Sequence, residues 1–252
     1  MNIFNRIFFH ILLFSSILNA TALNLNNEEL NYINNNKIKV AMLPDFPPFS
    51  FLQNGTQKGF SYDLLKLVSY KSGLKFQVKT NKWPKNLKDF KDNKVDIIDS
   101  ISFSQSRVPF TSFTLPYHES PLVIFSRKEL DSFVGLESLK GKKIGITKNI
   151  FYKKDIEKLG LFKIHEYESF QDKLKALAFA DVDIIFGHLH STQNSIKKNG
   201  YTNIKALDEL KLKNLKKTDL RFGINKKNKI LFSIISKSLI SISNKEWERL
   251  NS

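Results

Sequence analysis

Cysteine is missing from all 252 residues. Its absence excludes thiol nucleophiles, thiolate zinc sites and disulfide cross-links, so the chain must rely on a packed core for stability. Glycine is scarce, at 10 residues, and neither a Gly-x-Ser-x-Gly elbow nor a phosphate-cradling glycine loop occurs. Arginine is scarcer still: of 40 basic residues only Arg6, Arg107, Arg127, Arg221 and Arg249 are arginine. Beyond the N-terminus no stretch is apolar for long enough to span a bilayer.

The N-terminus reads as a targeting segment. Arg6 supplies a short positive region, Ile7 to Leu18 is largely apolar, and Ala20-Thr21-Ala22 has the small-x-small form of a cleavage site. Residues 1–22 are therefore expected to be a signal peptide cleaved after Ala22, with an uncleaved anchor as the alternative. The remaining chain of about 230 residues can form one large or two small domains. The net charge of +16 is carried mainly by lysines scattered from Lys66 to Lys94 and beyond, without arginine–aromatic clusters. Such a surface is solvated rather than built for nucleic acid, and no nucleic-acid partner is expected.

Against that lysine background, the stretch from Val95 to Tyr117 stands out. It runs from an apolar strand through a serine-rich turn to Arg107 and then Phe-Thr-x-Pro-Tyr, ending at Tyr117. A guanidinium fork beside strand-edge hydroxyls suits a carboxylate. Strand and helix patterns alternate around it. Strands are expected at 37–43, 75–80, 95–98, 121–126, 142–147, 163–167, 182–186, 203–207 and 220–224. Helices are expected at 60–72, 83–91, 151–159, 170–180, 191–198 and 230–242, several stopped by glycine. Two echoes recur in the same order: Val-Asp-Ile-Ile at Val95 and at Val182, and the strand openings at Lys37 and Lys142. Two similar α/β lobes, facing each other across a cleft, follow from this alternation. Asp96 and Asp183 within the echoes read as structural hydrogen-bonding groups. His188 and His190, two residues apart, would share a strand face and could form half of a metal site, but no third ligand stands at a recognisable spacing. No metal or other cofactor is expected.

In order and spacing, the Leu25–Phe51 opening, Gly59–Gln77, Val95–Tyr117, Gly135–Lys148 and Leu220–Asn228 resemble the family 3 extracellular solute-binding proteins, and within them the Venus-flytrap sensor domains of BvgS-like histidine kinases. The resemblance implies an α/β, two-lobed periplasmic binding protein fold of type II, with open sheets flanked by helices and two hinge crossovers. Residues 23–125 plus 219–252 would form lobe one and 126–218 lobe two. It also implies a ligand held between the lobes by Arg107 as carboxylate clamp, Ser100 and Ser102 as strand-edge polar groups, Phe46 and Trp83 as aromatic walls, and Asp45, Asn149 and His188 at the remaining positions. Leu43 stands where amino-acid-binding members carry an aspartate for the α-amino group, and His188 where they often carry Asp or Asn. Burying an ammonium without a carboxylate partner is expensive, so the departures favour a carboxylate or another small anion.

The leading expectation is a monomeric periplasmic receptor that passes a small carboxylate or amino-acid-like ligand to an ABC permease in the inner membrane. The chain up to Ser252 reads as free-standing; a continuation would favour the alternative, the sensing module of a membrane signalling protein (a histidine kinase or cyclase). A periplasmic dehydratase on the same fold would need a general acid, for which His188, Glu119 or Asp99 are the candidates. Without an activated nucleophile, the chain is read as a binder and not an enzyme.

Overall fold

The computed structural model describes residues 23–130, 132–212 and 218–251. The expected signal peptide lies outside the described residues. The first described element is α1 (Asn27–Asn35), started by a reciprocal cap in which Asn26 accepts from the Glu29 N–H and the Glu29 carboxylate accepts from the Asn26 N–H. Strand β1 (Lys37–Met42) follows. The proline-rich turn then carries β2 (Asp45–Phe46), and β3 (Ser50–Gln53) and β4 (Thr56–Lys58) complete a small three-stranded sheet. Gly59, at φ +109°, turns the chain into α2 (Phe60–Ser72). A Cβ there would lie 2.5 Å from the Phe49 carbonyl oxygen.

Strand β5 (Lys75–Thr80), helix α3 (Trp83–Lys91), with proline in its first turn, and β6 (Ile97–Ile101) follow. The short strands β7 (Thr111–Phe113) and β8 (His118–Glu119) lead to β9 (Leu122–Arg127). The second series comprises β10 (Lys143–Thr147), α4 (Lys153–Leu159), β11 (Lys163–Tyr167), α5 (Phe170–Ala178), β12 (Ile184–His188), α6 (Leu189–Asn199) and β13 (Ile204–Glu209). The chain returns through β14 (Asp219–Asn225) to α7 (Lys229–Ile240) and α8 (Asn244–Asn251).

These elements form two lobes of the same design. The first sheet has the order β5-β1-β6-β14-β7, with β8 also paired to β14; the second has the order β11-β10-β12-β9-β13. In each, the opening strand is parallel to both neighbours and the third strand meets an antiparallel partner contributed from elsewhere in the chain. Strand alternation sends Val40, Met42 and Ile97 to one face of the first sheet, against α2 and α7. Ala41, Ile98 and Ile101 go to the other face, with Leu87 and Phe90 of α3. In the second sheet Ile144, Ile146, Ile184 and Phe186 pack on one side, and Ile185 meets Leu174 and Leu177 of α5 on the other.

The internal echo is physical. Asp96 accepts a 2.8 Å hydrogen bond from the Lys39 N–H and donates its own N–H to the Lys39 carbonyl; Asp183 does the same with Lys143, again at 2.8 Å. Each carboxylate thus pins the start of the third strand of its lobe to the first. Replacing either by alanine is expected to cost about 1 kcal/mol, and somewhat more at Asp183, whose Oδ1 also lies 3.7 Å from Arg127 Nη2. Urea denaturation of the two single variants checks this, and a variant of either aspartate that lost no stability would break the equivalence.

Strand β9 pairs along its whole length with β12 and β13, so the expected lobe division after residue 125 falls inside a strand of the second sheet. The two chain crossings lie nearer Ser120 and Thr218. There the Ser120 N–H donates to the Thr218 carbonyl at 3.0 Å, and the Thr218 hydroxyl donates to the Ser120 carbonyl.

Candidate functional site

A cavity enclosing about 700 Å³, its mouth to solvent included, lies between the lobes. Of the expected site residues, Asp45, Phe46, Trp83, Ser100, Ser102, Arg107 and His188 line it. Asn149 does not. It is exposed at φ +60° on the loop after β10, and its contribution is a backbone carbonyl that accepts from the Trp83 indole N–H at 3.4 Å. The neighbouring Ile150 and Phe151 enter the cavity instead. The left-handed turn at Asn149 rotates its short polar side chain away and presents the next residues inward.

Ser100 owes its place to a bulge. Between the pairs Ile98–Gly223 and Ile101–Arg221, β6 has one more residue than β14, and Ser100 takes up the excess at φ +53°. The strand expected to end at Ile98 therefore runs on to Ile101. The regular alternation that would put Ser100 and Ser102 on one face is broken at Ser100, yet both still reach the cavity. The Ser100 N–H donates to Tyr117 Oη at 3.1 Å, Tyr117 Oη donates to Asp99 Oδ1 at 2.8 Å, and Ser61 Oγ donates to Tyr117 Oη at 3.2 Å. Burial pushes the Asp99 carboxyl up to about 6, against the pull of those hydrogen bonds.

Arg107 ends the short 3₁₀ turn Gln105–Arg107 and is 4% exposed. Its Nη1 donates to the Ser102 carbonyl at 3.0 Å, and its Nη2 has no partner among the described residues. The guanidinium lies between two rings, 5.0 Å from the Trp83 centroid in the first lobe and 5.3 Å from Phe151 in the second. Burial alone lowers its pKa to about 9. A buried cation with an unmet donor, at the wall of a cavity, is arranged for an anion.

The second lobe adds a residue that sequence reasoning missed. Lys173, in α5, is 3% exposed, lines the same cavity, and donates from Nζ to the Phe186 carbonyl at 2.7 Å. Burial lowers its pKa to about 7, and the charge of Asp45 pulls it back up. Asp45 is itself held above the usual carboxylate range by burial. His188 ends β12 half-buried. Its ring meets Phe46 edge-on at 5.5 Å, and burial lowers its pKa to about 4, which keeps it neutral at ordinary pH. His190 sits exposed in the first turn of α6, so the two histidines do not share a strand face. No group of three or more His, Asp or Glu placed for a metal occurs among the described residues. Of the three general-acid candidates, Asp99 lies beneath the cavity floor and Glu119 on an exposed strand; only His188 lines the cavity.

The lobes also touch directly. Lys82 pairs with Asp172 at 3.2 Å, and Gln171 Nε2 donates to the Asp45 carbonyl at 3.4 Å. The ion pair is half exposed and contributes at most about 1 kcal/mol.

Two α/β lobes joined by paired crossings, with a buried cation in the cleft between them that is unpaired among the described residues, define a two-lobed solute-binding protein of the periplasmic type. The chain belongs to the bacterial extracellular solute-binding proteins of family 3, whose sequence profile matches residues 38–252. It is similar to the Escherichia coli ABC transporter arginine-binding protein 1, at 24% identity over 82% of this chain and 85% of that protein. It also resembles the Bordetella pertussis virulence sensor protein BvgS, at 23% identity over 83% of this chain but only 17% of that much longer protein. The match to a Campylobacter jejuni probable histidine-binding protein, 31% identical, spans 43% of each chain. A cyclohexadienyl dehydratase from Pseudomonas aeruginosa is 32% identical over 82 residues, 32% of this chain and 31% of that one. Among solved structures, the BvgS periplasmic VFT2 domain superposes with a TM-score of 0.78 at 20% identity, covering 89% of this chain and 96% of that one. An ancestral arginine-binding protein bound to arginine gives 0.76 at 24%, covering 85% and 96%. At these identities the superpositions speak for the fold. No helix among the described residues is long and apolar enough to cross a membrane.

Proposed function

We propose that this chain is a monomeric periplasmic receptor that holds a small carboxylate or amino-acid-like ligand between its lobes and delivers it to an ABC permease. It is exported by cleavage after Ala22. The lobes divide near Ser120 and Thr218, where the two crossings would act as the hinge. The observation that carries the reading is the buried Arg107 guanidinium with Nη2 unpaired among the described residues. Phe46 and Trp83 supply apolar walls beside it. Thermal-shift screening of small acids and amino acids tests it, since a ligand that binds the folded state raises Tm by mass action. Trp83 is one of two tryptophans and lines the cleft, whereas Trp247 stacks on Phe60 in the first lobe. A Trp247→Phe variant is therefore expected to keep any ligand-induced change in tryptophan emission. Failure of every small acid and amino acid to shift either signal would sink the proposal.

The second reading is a sensing module, favoured by the likeness to the BvgS periplasmic domains over nearly the whole of their VFT2 unit. Co-purification with a permease from native membranes supports transport; co-purification with a kinase or cyclase supports sensing. The chemistry of the cleft is that of a binder: Arg107 and Lys173 are placed to hold charge, and the three acid candidates do not converge on one point.

A further inference from the structure

Arg107 and Lys173 are buried cations contributed to one cavity from opposite lobes, and Asp45 is the one carboxylate among the described residues that line it. Lys173 reaches the cavity from within α5, its stem beside the Phe170 ring and its Nζ 5.1 Å from that ring's centroid. One of its three N–H donors goes to the Phe186 carbonyl at 2.7 Å. Asp45 and Lys173 line the same cavity, so the charge of each acts on the other across it. Arg107 is left as the cation without a counter-charge, its Nη2 unpaired among the described residues. Leu43, also in the lining, offers no charge.

An amino acid would bring its own ammonium into this cleft. That ammonium would share a poorly solvated space with Lys173, which burial leaves about half protonated at pH 7 and fully cationic at lower pH, and would repel it there. A carboxylate without an amine does not meet that cost. It balances Arg107, and an oxygen at its second carbon can accept from a remaining Lys173 N–H.

Resting on the reading of Arg107 as a carboxylate clamp, we infer that Lys173 is a tethered ammonium, occupying the role of the ligand's amino group, so that the site selects small 2-hydroxy or 2-oxo carboxylates over amino acids. Lys173 is thus the specificity-determining residue of the second lobe.

The test compares acids and amines of the same skeleton by calorimetric titration of the full chain: lactate with alanine, 2-hydroxyglutarate with glutamate, 3-phenyllactate with phenylalanine. For the skeleton that fits, the hydroxy acid is expected to bind about tenfold or more tightly than the amino acid. Lys173→Met keeps the buried stem and removes the charge. It is expected to invert the preference, because Asp45 is the one carboxylate among the described residues of the lining and no lysine of the second lobe then opposes the ligand's ammonium there. Lys173→Gln gives a second chance of a folded variant, and circular dichroism confirms the fold of each. An amino acid bound as tightly as its hydroxy acid by the native chain overturns the inference, as does a ratio unchanged in both variants. Binding of neither class, or binding indifferent to Arg107→Ala, overturns the carboxylate clamp itself and this inference with it. Carboxylates that bind through Arg107 with no discrimination against amines overturn only the role of Lys173.

Discussion

Replacing Arg107 by alanine is expected to weaken carboxylate binding roughly a hundredfold while leaving the fold as stable as before, or more stable. Both halves follow from the same geometry. Arg107 is 4% exposed, faces the cavity with an unpaired Nη2, and has no acidic partner within salt-bridge distance among the described residues. A bound carboxylate would be its counter-charge. Truncating one partner of a buried charge pair raises the free energy of binding by about 3 kcal/mol, roughly a hundredfold in Kd. Without ligand, the guanidinium is a net liability: burial drags its pKa down to about 9, opposed by one hydrogen bond to Ser102 and the contacts with Trp83 and Phe151. Removing it relieves that desolvation, so the unliganded Tm should hold or rise. Arg107→Met, which keeps a flexible stem between the two rings, guards against collapse of the Trp83–Phe151 gap. Arg107→Lys should bind with intermediate affinity, because an ammonium lacks the fork that meets both carboxylate oxygens. Thermal shift with and without ligand reads both effects. A variant that loses stability but keeps its ligand shift would make Arg107 a structural residue and not a clamp.

Much of this arrangement is legible in the residues themselves. The two Val-Asp-Ile-Ile segments announced two equivalent lobes, and the structure shows why the aspartate recurs: each fastens the third strand of its sheet to the first. Arg107 stood out because arginine is rare in this chain. The shape of the site was less legible. A bulge at Ser100 depends on how β14 pairs with β6, which is a long-range fact. Position alone places Asn149 in the site, and the left-handed turn that takes it out of the cavity leaves no sequence mark beyond asparagine's tolerance for that conformation. Lys173 did leave a mark. It stands three residues after Phe170 and four before Leu177, on the inward face of α5, where a lysine breaks the apolar stripe. In a chain so rich in lysine that break was lost among surface residues, and only its 3% exposure singles it out.

A pH series of urea denaturation should separate Asp99→Asn from the parent protein more sharply than measurement at one pH. Asp99 is 1% exposed, and its carboxyl is pushed up to about 6 by burial. Below about pH 4 the folded and unfolded chains both hold this proton. Between about pH 4 and 6 the folded chain keeps it and the unfolded chain has lost it, so stability falls as pH rises. Above that window the buried carboxylate withholds about 3 kcal/mol from the fold. His188 acts in the opposite direction over much of the same range. Its pKa is lowered to about 4 by burial, so the unfolded chain binds the extra proton and stability rises with pH. In the parent protein the two slopes oppose each other and the profile between them should be shallow. Asparagine keeps an oxygen to accept from Tyr117 Oη and removes the titration. The variant should therefore be the more stable at neutral pH, and its stability should rise steadily from about pH 4 to 6.5, with the His188 slope exposed. Parallel profiles for variant and parent would mean that Asp99 is ionised on both sides of folding at a common pKa. The hydroxyl network of Tyr117, Ser61 and Ser100 would then be holding a carboxylate beneath the cleft, and a negative charge under the floor would weaken any anion seated on Arg107.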